Sequence, residues 1–86
     1  MENGRIKIVI ADDNKEFASI LCDYLKSQSD FEVVGVAKDG LEAVKYVSSY
    51  QPDVLVLDII MPHLDGLGVL EKINVTPNIP MPKVIV

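Results

Sequence analysis

Apolar positions along this chain come in short blocks whose period keeps changing. Ile6–Ala11 reads IKIVIA, rich in β-branched residues and ending at two aspartates, which predicts a strand buried on at least one face. Next, Phe17, Ile20, Leu21, Tyr24 and Leu25 recur at i, i+3, i+4, i+7 and i+8, placing five large apolar groups on one helix face. Lys15, Glu16, Asp23 and Lys26 fall largely off that stripe. Residues 27–30 are a polar turn, and Phe31–Ala37, FEVVGVA, predicts a second strand weakened by Gly35.

Asp39 followed by Glu42 has capping-box spacing, in which each side chain satisfies a backbone donor at a helix start. Leu41, Val44 and Val47 then mark the buried side of a second helix, which Gln51-Pro52-Asp53 ends. Val54–Leu57 is apolar without alternation, as expected of a parallel strand covered on both faces. After a loop over residues 59–65, a third helix is predicted from near Asp65 or Gly66, burying Leu67, Leu70 and Ile73. Residues 74–82 hold three prolines and predict a loop, and residues 83–86, KVIV, open a fourth strand.

Strands alternating with helices imply parallel pairing through right-handed crossovers, with helices on both sides of an open α/β sheet. In such sheets the ligand site lies beyond the carboxyl ends of the strands, where strand order reverses. With 86 residues and 49% hydrophobic content there is room for one domain, residues 1–86, around one core. A formal charge of −5 and the lack of a basic run argue against direct nucleic-acid binding, which needs clustered Lys and Arg.

Cys22 is the sole cysteine, so neither an intramolecular disulfide nor a thiolate zinc site can form, and a cytoplasmic location is the natural reading. It reads as a small core or boundary residue. Residues 1–5 lack the apolar segment of a secretory signal. The apolar runs on either side of Asp58 fall far short of the roughly 20 residues a bilayer span requires, so no membrane partner is expected.

The candidate chemistry lies in three carboxylates. Asp12 and Asp13 follow the first strand and Asp58 follows the third, so in a parallel sheet all three emerge at one edge. If the two strands are neighbours, about 4.8 Å apart, the acids share one site. Two unit charges about 5 Å apart at an effective dielectric of 20 repel by roughly 3 kcal/mol. A hard divalent cation such as Mg²⁺ would offset that cost, as would protonation of one acid, and Asp after a strand also serves as a plain helix cap. A metal-bound carboxylate can in addition act as a nucleophile and form an aspartyl phosphate. Asp58, alone at the end of the most apolar strand, is the candidate for that role.

Ala11-Asp12-Asp13-Asn14, Asp39-Gly40-Leu41-Glu42-Ala43 and the run from Asp53 through Asp58, Met61-Pro62 and Asp65-Gly66 together resemble the receiver domains of two-component response regulators. The match follows nearly the whole chain in order. Residues 57–66, with His63-Leu64 inside, are similar to the sporulation branch of that family in spore-forming Firmicutes.

The resemblance implies a flavodoxin-like, CheY-like doubly wound sheet of strand order 2-1-3-4. It implies Asp58 as phosphoacceptor, Asp13 and Asp58 as direct Mg²⁺ ligands, Asp12 as a ligand mostly through water, and the backbone carbonyl of Ile60 as a further ligand. Pro62 and Gly66 would shape the loop carrying that carbonyl. The implied partners are a sensor histidine kinase or relay phosphotransferase, with a C-terminal DNA-binding domain as the transcriptional output.

Family members continue past the fourth strand through a switch Thr or Ser, a helix, a fifth strand with its lysine, and a last helix, and the domain is therefore expected to be incomplete at its C-terminus. Thr76 and Lys83 do not occupy the switch and lysine positions. His63 reads as a solvent-facing loop residue, because the family's donor histidine belongs to another protein. Slower phosphorylation than in a longer chain is expected, as is a bared apolar patch beside the first helix favouring dimerisation, domain swapping or partial unfolding.

Two other readings compete with a phosphoacceptor that assists its own phosphorylation without turning over a substrate. A haloacid dehalogenase-type phosphatase expects a second Asp two residues after the nucleophile, where Ile60 stands. A non-phosphorylated pseudo-receiver would keep only the fold, against which the intact Asp12, Asp13 and Asp58 argue.

Overall fold

The computed structural model describes residues 4–58, 66–75 and 82–85. Its elements alternate: β1 (Ile6–Ala11), α1 (Lys15–Lys26), β2 (Phe31–Ala37), α2 (Gly40–Tyr50), β3 (Val54–Leu57), α3 (Gly66–Val75) and β4 (Lys83–Ile85). The strands form one parallel sheet in the order β2-β1-β3-β4. This is the flavodoxin-like doubly wound arrangement that the sequence led us to expect. From β1 the chain crosses to β2, then returns past β1 to β3, so strand order reverses between β1 and β3.

Local chemistry fixes the ends of these elements. The Asn14 side chain accepts the Phe17 N–H at 3.0 Å and caps α1. Asp39 accepts the Glu42 N–H at 2.9 Å, while the Glu42 carboxylate accepts the Lys38 N–H at 3.1 Å. The expected capping box is therefore present, with its return bond one residue earlier than the usual cap position. Helix α2 ends at Gln51, a left-handed residue with φ 46° whose N–H returns to the Val47 carbonyl.

Asp53 then anchors the start of β3. Its carboxylate accepts the Lys7 N–H, its own N–H donates to the Lys7 carbonyl, and its carbonyl accepts the Lys83 N–H, each at 2.9 Å.

The sheet's two faces are buried unequally. On the α2/α3 face Val9, Ala11, Ala37, Ala43, Val47, Leu55, Leu57, Val69 and Ile73 make a closed cluster. On the α1 face the buried set is Ile8, Ile10 and Ala18, flanked by half-buried Leu21, Cys22 and Leu25. Burying one large aliphatic side chain such as Ile73 contributes about 1.5–3 kcal/mol, so the first cluster carries more of the stability.

Several expectations need correction. Helix α1 meets the sheet through Ala18, Leu21, Cys22 and Leu25, whereas Phe17, Ile20 and Tyr24 are 52%, 62% and 62% exposed. Small residues let the helix sit close to the strands, and a count of large apolar groups alone overlooked them. In α2, Leu41 is exposed and the inward positions are Gly40, Ala43 and Val47, with Val44 half-buried, for the same reason.

Strand β3 alternates in burial after all, with Leu55 and Leu57 buried and Val54 and Val56 half-buried under the sparser α1 face. In α3 the buried residues are Val69 and Ile73, with Leu70 half-buried, and the Leu67 side chain lies outside the described residues. The helix also takes in Asn74 and Val75, which the prolines had suggested were loop. Cys22 is a boundary residue, as expected.

Strand β2 carries an irregularity. Ile8 pairs with Val33 but Val9 pairs with Gly35, leaving Val34 as an extra residue. Such a bulge bends its strand and re-aims the residues beyond it.

Candidate functional site

β1 and β3 are neighbours in parallel register, with Ala11 beside Leu57. The next residue of each strand is an acid. The Asp58 N–H donates to the Ala11 carbonyl at 2.9 Å, and the Asp12 N–H donates to the Ala37 carbonyl at 3.0 Å, so both backbones are held by adjoining strands. One Asp12 oxygen accepts the Asn14 N–H at 2.9 Å, bending the chain into α1 and leaving Asp13 at the exposed turn.

One carboxylate oxygen from each of Asp12, Asp13 and Asp58 lies within 4.8 Å of the others. Asp12 and Asp58 are half-buried and Asp13 is exposed. The cluster lines an open depression of about 690 Å³ together with apolar Ile10, Phe17, Leu21, Val56 and Ile85.

The donor chemistry suits a hard divalent cation. With metal–oxygen distances of about 2.0–2.1 Å, oxygens sharing an octahedral Mg²⁺ lie roughly 2.9–4.2 Å apart. A span of up to 4.8 Å is bridged by a small rotamer change or by one intervening water. Among the described residues this is the cluster of three or more His, Cys, Asp or Glu side chains able to converge on an ion.

Sequence reasoning thus named three acids that the fold does bring together. Ile60, Met61, Pro62, His63 and Thr76 lie outside the described residues. Lys83 pairs with Val54 at the start of β3, the opposite edge from the acids, in keeping with its exclusion as a phosphate ligand. Asn14, which caps α1 and lines the depression, was missed as a site residue, although an Asn directly before a helical stripe is a recognisable cap signal.

The sequence model of the response regulator receiver domain matches residues 8–86. The chain belongs to that family. Receiver domains are signalling domains, generally not turnover enzymes, and typically bind Mg²⁺ at an acidic pocket.

Among solved receiver-type structures, the response regulator domain of Thermotoga maritima CheB is 43% identical with a TM-score of 0.78, over 80% of this chain and 52% of that one. The receiver domain of the putative response regulator NarL from Mycobacterium tuberculosis is 31% identical with a TM-score of 0.78, over 81% and 56%. A DNA-binding response regulator of the LuxR family from Staphylococcus aureus is 35% identical with a TM-score of 0.75, over 80% and 57%. The matched part of this receiver chain thus spans little more than half the length of those structures. Among the described residues no helix is long and apolar enough to cross a membrane.

Proposed function

We propose that residues 1–86 form the N-terminal part of a receiver domain in which Asp58 accepts a phosphoryl group from the phosphohistidine of a sensor kinase or relay phosphotransferase. The observation that supports this best is the convergence of Asp12, Asp13 and Asp58 within 4.8 Å at the carboxyl edge of two adjacent strands. An Asp58 carboxylate oxygen attacks phosphorus, a P–O bond forms, the P–N bond to the donor imidazole breaks, and the nitrogen keeps the electron pair and takes up a proton.

Asp13 and Asp58 would hold Mg²⁺ directly, Asp12 mostly through water, and the Ile60 carbonyl would complete the protein ligands. Bound there, the ion would neutralise charge on the acids and on the incoming phosphoryl oxygens. Asp12 and Asp13 thus prepare a site that repels an anion until a cation joins them.

The finer reading is a cytoplasmic phosphorelay regulator of the sporulation type, whose added charge alters a surface read by a C-terminal DNA-binding domain. It rests on the likeness of residues 57–66, with His63-Leu64, to that branch.

Intact-mass spectrometry after incubation with acetyl phosphate and Mg²⁺ tests the acceptor. Wild type should gain one hydroxylamine-labile phosphoryl group, while Asp58→Asn and wild type treated with EDTA should gain none. Equal labelling of the Asn variant, or an unlabelled wild type, would sink the proposal.

A further inference from the structure

We propose that Gly35, through the ring of Tyr46, is a positioning residue for the acid site. In β2, Val33 packs on the α1 face with Ile8, its register partner. Val34 and Tyr46 pack on the opposite, α2 face, and a side chain at position 35 would point there too.

Two successive positions therefore share a face, as the skipped partner between Ile8 and Val9 requires. Without the extra residue, strict alternation would return residue 37 to the side of Val33. With it, Ala37 enters the α2-side core beside Ala11, and its carbonyl accepts the Asp12 N–H at 3.0 Å.

That arrangement leaves little room at position 35. A Cβ there would come within 3.0 Å of Tyr46 Cδ2 and 3.3 Å of Cγ. Cγ is the root of the ring and cannot swing away as a chain end can. Tyr46 is further confined by Tyr50, whose ring centroid lies 5.7 Å away. Glycine at 35 therefore admits the bulge beneath the ring, and the bulge delivers the carbonyl that holds Asp12. Val34 needs no such allowance, since its side chain already packs with the core on that face.

The metal consequence rests on the function proposed above, whereas the backbone consequence does not. The test compares Gly35→Ala with Gly35→Ala/Tyr46→Leu, in which the ring is removed. Amide hydrogen exchange followed by NMR should show Asp12 exchanging roughly tenfold or more faster in Gly35→Ala, relative to Leu55 in the same sample. The double variant should return the ratio towards wild type.

A Gly35→Ala protein with an unchanged Asp12-to-Leu55 ratio, or a double variant no better than the single, overturns the inference. If Gly35→Ala fails to fold, Tyr46→Leu/Gly35→Ala and Tyr46→Leu alone decide it: Ala should be tolerated at 35 once the ring is gone. Calorimetric titration with Mg²⁺ adds a separate arm. Weakened affinity in Gly35→Ala supports the link to the site, and unchanged affinity overturns it. An absence of binding in wild type refutes the metal reading, while the exchange ratio still decides the role of Gly35.

Discussion

At the scale of single residues, the acid cluster brings three carboxylates within 4.8 Å of one another, and like charges at that range repel. The Asp12 and Asp58 amides are tied to neighbouring strands, which fixes the backbone from which these carboxylates project towards one another. Replacing Asp13 by Asn should therefore raise metal-free stability by on the order of 1 kcal/mol at low salt, less as salt screens the charges. Urea unfolding without and with excess Mg²⁺ measures it. The sign should reverse when the ion is present, because binding stabilises the folded wild type more than the variant. A variant less stable than wild type under both conditions would contradict the repulsion argument.

Gln51 offers a second test at this scale. Its φ of 46° is a conformation that L residues, unlike achiral glycine, occupy at a cost. Gln51→Gly should raise the unfolding midpoint by an amount equivalent to about 0.5–1 kcal/mol. Thermal denaturation would show it.

At the scale of elements, the pattern of apolar residues located the described strands and helices and much of what α2 and α3 bury, but misjudged Phe17, Ile20, Tyr24 and Leu41. Asp12, Asp13 and Asp58 were legible because the Asp12-Asp13 pair follows a β-branched run and Asp58 a valine- and leucine-rich one, and parallel pairing places such ends together. The facing of α1 was not legible, since Ala18 and Cys22 carry little hydrophobic signal while setting the closest approach. The bulge at Val34 was not read, although a glycine inside a strand, here Gly35, can mark one.

Mutations should follow the observed faces. Ile73→Ala, in the closed cluster, should cost about 2–5 kcal/mol, while Ile20→Ala, 62% exposed, should cost under about 0.5 kcal/mol. Comparable losses from both changes in urea melts would mean that α1 packs differently.

At the scale of the whole molecule, the described residues bury the α2/α3 face of the sheet more completely than the α1 face. Phe17, Ile20 and Tyr24 run along α1, with Ile85 exposed across the depression. Apolar surface of this kind favours association, through a dimer or an exchange of elements. Sedimentation of the 86-residue chain should show concentration-dependent self-association, weakened by Ile20→Lys and Phe17→Lys. A monomer at all concentrations, with no difference between variants, would speak against it.

The three hydrogen bonds made by Asp53, one through its carboxylate and two through its backbone, have a mechanical consequence for this sheet. They stitch β1, β3 and β4 together at the amino rim, far from where a phosphoryl group would arrive. An added dianion would therefore load the two backbone bonds at its own rim, Asp58 N–H to Ala11 and Asp12 N–H to Ala37, before any strain reached these three.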